Sequence, residues 1–237
     1  ISRSSTIREA QGDIMAAKLM RHVVFDGLRD DIISCDFSPG REIRESELAL
    51  KYGVSKSPIR DALQKLEFEG LIEIVPRQGH RVTPISIKDA QDILEMREIL
   101  EMAAIKRIAA EASQTALKKL DRFRFAEMAS MRAFARYNRE FHHHLTSLTG
   151  NIRLSEIMQR MMDNYERLCI VSLSSRRCEG EAMVAALDDH INIIDALQAR
   201  DGAKAARLSV KHVRKSYKQI MLGLKKHQSL YQNVRHA

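Results

Sequence analysis

The spacing of apolar residues changes twice along the chain, and each change marks a boundary. From about Asp13 to Cys35 the apolar positions recur at helical spacing, which predicts a first helix. Phe37-Ser-Pro-Gly40 interrupts it, because Pro39 lacks an amide hydrogen and Gly40 accepts turn geometry. A short helix is predicted at about Glu45–Tyr52, followed by a tight corner at Gly53-Val54. Ile59, Ala62, Leu63 and Leu66 then share one face of a helix from about Ser55 to Glu69 that stops at Gly70. Leu71–Val75 is rich in β-formers, and Arg81–Pro84 is its hairpin partner across the loop Pro76-Arg77-Gln78-Gly79-His80.

Beyond Pro84 the pattern is helical throughout. Ser86-Ile-Lys-Asp89 has the capping-box form, in which the serine hydroxyl takes a free amide of the first turn. Helices are predicted near 87–112, 115–128, 131–148, 152–172, 180–199 and 202–223, with Gly150 and Gly202 as punctuation. The expected fold is mainly α. Residues 13–84 form a winged helix-turn-helix with a small β-hairpin wing, and residues 86–224 form an all-α antiparallel bundle. The ends, 1–12 and 225–237, read as flexible tails.

Composition narrows the classes without choosing one. Of 237 residues, 44% are hydrophobic and 30% charged, the range of a globular protein. No apolar run approaches the roughly 18 residues of a membrane span, and Ile1–Ser5 has no apolar signal core. Cys35, Cys169 and Cys178 form no paired framework and read as reduced thiols, which suits a cytoplasmic protein. The net charge of +8 suggests nucleic acid, but its location does not. Residues 1–86 carry 13 Lys/Arg against 13 Asp/Glu, whereas residues 202–237 carry 9 Lys/Arg and no acid. DNA binding therefore has to be argued from local placement.

Lys56, Arg60 and Gln64 stand at i, i+4 and i+8, on the face opposite the apolar one. Ser55 can cap the start of that helix, and Pro58 costs nothing in its first turn. The first-turn amides, with Ser57 among them, can donate to a phosphate. Arg60 can fork a guanine edge, and Lys56 can meet guanine or phosphate. Arg77, Gly79, His80 and Arg81 make a candidate wing. The plainer alternative is a small helical domain with a solvated basic face. In the second half, Asn138 and His142 are i, i+4, and His190 and His212 lie on two later helices. A bundle can bring these four side chains to one interior point as ligands for zinc, nickel or manganese. Their plainer alternative is surface or satisfied core histidine.

The stretch Pro39-Gly40, Glu45-Ser-Glu-Leu-Ala49, Gly53-Val-Ser-Lys-Ser-Pro-Ile-Arg-Asp-Ala-Leu63, Leu66-Glu-Phe-Glu-Gly-Leu71 and Gly79-His-Arg-Val82 strongly resembles the GntR family of bacterial transcription regulators. Lys56, Ser57 and Asp61 stand where that family usually has Arg, Thr and Glu, and Ser46 stands where some relatives place an Arg. The resemblance implies that Lys56 and Arg60 contact bases or phosphates, with Gly79 and His80 at the tip of a minor-groove wing. Residues 86–222 resemble the FCD effector domain through Met96-Arg97-Glu98-Ile-Leu-Glu101, Phe141-His142, Gly150-Asn151, Asp189-His190, Asp201 and Lys211-His212. Metal-binding members use an Asp four residues before the first of three His, and here Asn138 replaces that Asp. The resemblance also implies a small organic-acid effector. Arg97 is expected to hold its carboxylate, with Asn164 and Tyr165, and more weakly Arg167, Ser175 and Arg176, as pocket residues. Arg97 in a surface ion pair with Glu98 or Glu101 is the competing expectation, and His143 and His144 are expected to point elsewhere.

These readings combine into a homodimeric regulator, not an enzyme, that binds a double-stranded operator, with repression the commoner family role. A regulator that senses the metal itself is the first alternative. A metal-dependent hydrolase is the second, disfavoured because no His-Glu-x-x-His motif is present.

Overall fold

The structure, a computed structural model, describes residues 19–173 and 179–234. The expected start of the first helix at Asp13, the 1–12 tail, Ser175, Arg176 and Cys178 lie outside the described residues. The chain divides into two compact units between Pro84 and Ile85.

In the first unit, helix α1 (19–33) precedes strand β1 (Glu42–Ile43), helices α2 (Glu45–Tyr52) and α3 (Lys56–Phe68), and strands β2 (Ile72–Val75) and β3 (Gly79–Val82). Leu28, Ile32 and Ile33 of α1 meet Leu48 of α2, Ile59, Leu63 and Leu66 of α3, and Leu71, Ile72 and Val82 from the hairpin in one buried core. The corner between α2 and α3 works because Gly53 sits at φ +63, a left-handed conformation, while Val54 N donates to Ala49 O. Gly70, at φ +75, ends the next helix in the same way, and Leu71 N returns to Leu66 O.

The sheet is antiparallel with the order β1-β3-β2, so the hairpin has a third partner that sequence reasoning missed. Two residues are too few to show an alternation, and the strand is made by backbone pairing of Glu42 and Ile43 with Arg81 and His80. The hairpin register also differs from expectation. Val75 pairs with Gly79 and Ile74 with His80, so Gly79 and His80 belong to β3 and the turn is Pro76-Arg77-Gln78. The extra pairing with β1 holds His80, opposite Ile43, in the ladder, while Gly79 is paired with Val75.

The second unit is built from α4 (Ile87–Glu111), α5 (Gln114–Lys118), a 3-10 turn (Lys119–Phe123), α6 (Met131–Ser147), α7 (Ile152–Leu173), α8 (Glu179–Gln198) and α9 (Gly202–Val234). Side-chain caps start several of them: the hydroxyls of Ser86, Ser113 and Ser130 accept from Asp89 N, Ala116 N and Ala133 N. Ile105, Ile108, Leu117, Phe141, Leu145, Ile193, Ile194 and Leu197 form the core among α4, α5, α6 and α8. The helix expected over 115–128 is broken, and tertiary bonds explain the break. Gln198 Nε2 takes the Leu117 carbonyl and Tyr137 Oη takes the Phe123 carbonyl. The last helix continues past the expected 223 to Val234, since Gly223 sits inside it.

Candidate functional site

In the first unit, α3 presents Lys56, Ser57, Arg60 and Gln64 to solvent, with Ile59, Ala62, Leu63 and Leu66 buried behind them. Ser55 occupies the N-cap position with an extended backbone, but its hydroxyl makes no capping bond, which corrects the expected cap. Arg60 Nε donates to Glu45 Oε2 at 2.8 Å, so α2 steers the long side chain of α3. The terminal nitrogens of the Arg60 fork lie on a side chain that is 64% exposed. Glu45 escaped the sequence reading because the two residues are 15 positions apart and meet only through the α2–α3 corner. In the wing, Arg77 is exposed at the turn with φ +66, a conformation uncommon for a side-chain-bearing residue. Gly79, at φ +97, needs its missing Cβ for that backbone, and His80 is half-buried in β3. Arg81 is engaged by Glu73, with Nε donating at 2.6 Å.

The second unit brings His142 from α6, His190 from α8 and His212 from α9 together, with candidate ligand nitrogens all within 4.8 Å of one another. All three rings are buried. Each Nδ1 faces an oxygen. His190 Nδ1 lies 3.1 Å from Tyr137 Oη, whose own proton goes to Phe123 O, so Tyr137 must accept from the imidazole. His212 Nδ1 faces the Asp189 carboxylate at 3.4 Å. His142 Nδ1 lies 2.9 Å from Glu101 Oε1, in ion-pair range although off the line of a good hydrogen bond. With those Nδ1 atoms as donors, the Nε2 lone pairs of His190 and His212 point at each other across 3.2 Å. Two lone pairs at that distance repel unless a cation lies between them. Nitrogens each about 2.0–2.1 Å from one tetrahedral zinc stand roughly 3.3 Å apart, so the donor set and spacing fit a divalent metal.

Burial lowers the proton affinity of all three imidazoles. His142 is pulled down to about 3 by burial and by the Arg97 cation, with Glu101 opposing. Burial with the neighbouring His212 and His142 lowers His190 well below its ordinary value, and burial lowers His212 against the pull of Asp189. The rings are therefore neutral near pH 7, the form that ligates metal.

Asn138 lies one turn before His142 on α6, buried, with its Nδ2 unpartnered among the described residues. Arg97 is fully buried on α4, so the expected surface pair is corrected to a buried one: Nε donates to Glu101 Oε1 at 2.6 Å. Glu98 pairs instead with Arg214 of α9. Arg97 Nη2 donates to His142 Nε2 at 2.5 Å, its Nη1 has no acceptor among the described residues, and its guanidinium stacks 4.3 Å over the Tyr165 ring. Burial alone would raise the Glu101 carboxyl, but Arg97 and His142 outweigh it and hold the group below the usual carboxylate range. Tyr165 thus joins the site, whereas Asn164 is half-exposed and directs its amide to Arg160 O and to Arg167 Nη1. His143 meets Ser155 and His144 packs on Phe123. The contacts of Glu101, Tyr137 and Asp189 with the histidines had no signal in spacing, because each is made across a helix–helix contact.

No helix among the described residues is long and apolar enough to cross a membrane. Residues 20–82 match the model of the bacterial regulatory proteins of the gntR family, and residues 92–215 match the FCD domain. The chain is 31% identical over 145 residues to an uncharacterized HTH-type transcriptional regulator, YdhC of Bacillus subtilis, covering 59% of this chain and 65% of that protein. It is 28% identical over 191 residues to the HTH-type transcriptional repressor RspR of Escherichia coli, covering 78% and 82%. Among solved structures, Escherichia coli McbR/YncC superposes with a TM-score of 0.70 at 15% identity, covering 90% of this chain and 98% of that one, a likeness of fold. A gntR-type reading domain followed by an FCD domain makes this chain a member of the GntR family of bacterial transcriptional regulators, and not an enzyme.

Proposed function

We propose that this regulator reads a near-palindromic operator as a homodimer and that a small organic acid, bound at a divalent metal in the FCD domain, controls the reading. Lys56, Ser57, Arg60 and Gln64 of α3 supply the major-groove contacts, Ser55 and its neighbours approach the phosphate, and Arg77, Gly79 and His80 form the wing. Repression is the sign we assign, in line with the repressor named among the relatives.

The observation that carries the ligand half is the pair of facing lone pairs on His190 and His212 beside two buried donors without acceptors, Arg97 Nη1 and Asn138 Nδ2. Zinc, nickel or manganese would be held by His142, His190 and His212, with Asn138 offering a carbonyl oxygen where the family usually has a carboxylate. When bound, the metal would supply positive charge for an anionic effector. The chain's own part is to present Arg97 to a carboxylate, with Tyr165 supporting its guanidinium face. Before His142 Nε2 can serve a metal, Arg97 Nη2 has to leave it, which frees a second donor for the effector.

Metal content of the purified protein and of His190→Ala tests the site, because loss of bound metal with the fold retained is expected. Full occupancy in that variant would discard the three-histidine site. Titrating metal and small carboxylates separately against operator binding tests the control. Release by metal alone would replace the organic-acid reading with metal sensing.

A further inference from the structure

The charged side chains that touch the three histidines cancel in pairs. Arg97, which meets His142 Nε2, is paired with Glu101, and the other oxygen of Glu101 takes the Ser209 hydroxyl at 3.1 Å. All three of these partners are buried. Asp189, which faces His212 Nδ1, is paired with Lys215 at 3.0 Å. The candidate ligands leave this balance unchanged. His142, His190 and His212 ligate as neutral rings, and Asn138 is a neutral amide.

A divalent ion held by these residues therefore brings two positive charges that no side chain of the site offsets. Burial makes that costly, because a charge taken out of water needs an opposite one beside it. An acid on its own meets the converse difficulty. Arg97 is the cation that would receive it, and Glu101 already neutralises Arg97. Ion and acid together remove both costs, and two carboxylates match the ion where one leaves an excess. The free donors suit such an acid: Arg97 Nη1 and Asn138 Nδ2 are buried without an acceptor among the described residues. An amide at position 138 can give its oxygen to a metal and its NH2 to a carboxylate, whereas an aspartate there has no hydrogen to donate.

We propose that metal and effector are taken up jointly: the site holds a divalent ion tightly only with a dicarboxylate beside it, and the neutral Asn138 creates that dependence. The inference rests on the metal-and-acid reading proposed above and adds the dependence of each on the other. It is tested on the full chain by titrating zinc against a competing chelator that buffers the free ion, with and without malonate, succinate or malate. Acetate and uncharged succinamide are the controls, and far-UV circular dichroism checks folding. In wild type, at least one of the three dicarboxylates is expected to tighten zinc by about 10-fold or more, acetate by less, and succinamide not at all. Asn138→Asp supplies the missing charge and removes the donor. It is expected to bind zinc about 10-fold more tightly than wild type without acid, and to respond to the dicarboxylates by less than about 3-fold. Should Asn138→Asp unfold, the wild-type titrations decide alone. Zinc bound equally with and without the dicarboxylates overturns joint uptake and leaves the metal site standing. Acetate equal to the best dicarboxylate overturns the charge match, and a full response in Asn138→Asp overturns the part given to Asn138. Zinc that binds under none of these conditions overturns the metal reading as well.

Discussion

A single ion pair, between Arg60 and Glu45, sets how Arg60 is presented for the operator contact proposed for it. Its Nε is engaged by Glu45, which aims the guanidinium and leaves the two terminal nitrogens for a bidentate contact. The pair is exposed, so it adds little to folding. Arg60→Ala is therefore expected to weaken specific operator binding by about 1–3 kcal/mol and to leave thermal stability within about 0.5 kcal/mol. Unchanged operator affinity in a band-shift titration would displace the reading face from α3. The histidines give a second prediction, for protein stripped of metal. Their proton affinity is depressed on folding, so the unfolded chain binds more protons at mildly acid pH, and stability rises with pH through that window. Stability is expected to be fully present above the ordinary histidine value near 6.5 and to fall as pH drops toward the His142 value of about 3. Urea midpoints at pH 7 and pH 5 measure it, and equal midpoints would contradict neutral burial. At this scale the sequence was partly legible. Three like side chains on three helices suggested a cluster, and the i, i+4 spacing of Arg97 and Glu101 suggested a pair. Spacing says nothing about depth, so it could not distinguish a solvated pair from one that is buried beside His142.

Elements were legible where periodicity ran long and where local chemistry ended them. The α2–α3 corner and the end of α3 were visible because Gly53 and Gly70 supply left-handed backbone at both places. The strand Glu42–Ile43 and the break after α5 were not, because pairing and side chains from distant segments create them. Gly223 shows the limit most clearly. A glycine near the end of a helical pattern reads as a stop, yet here the helix passes through it because α7 comes so close. A Cβ on Gly223 would sit 2.1 Å from the Ser172 carbonyl oxygen. Alanine normally favours a helix interior over glycine by about 1 kcal/mol, but relief of that overlap requires backbone to move. Gly223→Ala is expected to lower stability by about 1–3 kcal/mol, read from denaturant midpoints. A rise in stability would mean that α7 and α9 can part freely.

For the molecule as a whole, net charge proved a poor guide to function. The excess sits on α9 at the far end of the chain, while the first unit is balanced, and Lys56 and Arg60 on α3 and Arg77 at the wing are among its exposed cations. Under the proposed control, what would join the two units functionally is a coupling free energy, and it would have to act in both directions. If a carboxylate effector weakens operator binding by some factor, the operator weakens effector binding by the same factor, and 5–150-fold is the usual range. Arg97 is the residue through which this coupling is expected to enter, because its fork would hold the carboxylate and its Nη2 now holds His142. Arg97→Ala would strand Glu101 in the interior, so the informative change is Arg97→Lys, which keeps the cation and removes the fork. With metal-loaded protein, small mono- and dicarboxylates are expected to lower wild-type operator affinity in a fluorescence-anisotropy titration. Calorimetry with and without operator should return the same factor for the acid. Arg97→Lys should bind the operator as wild type does and lose most of the response. A variant that still responds fully would move the effector away from Arg97, and unequal factors in the two directions would show that the acid acts outside the equilibrium between operator-bound and free protein.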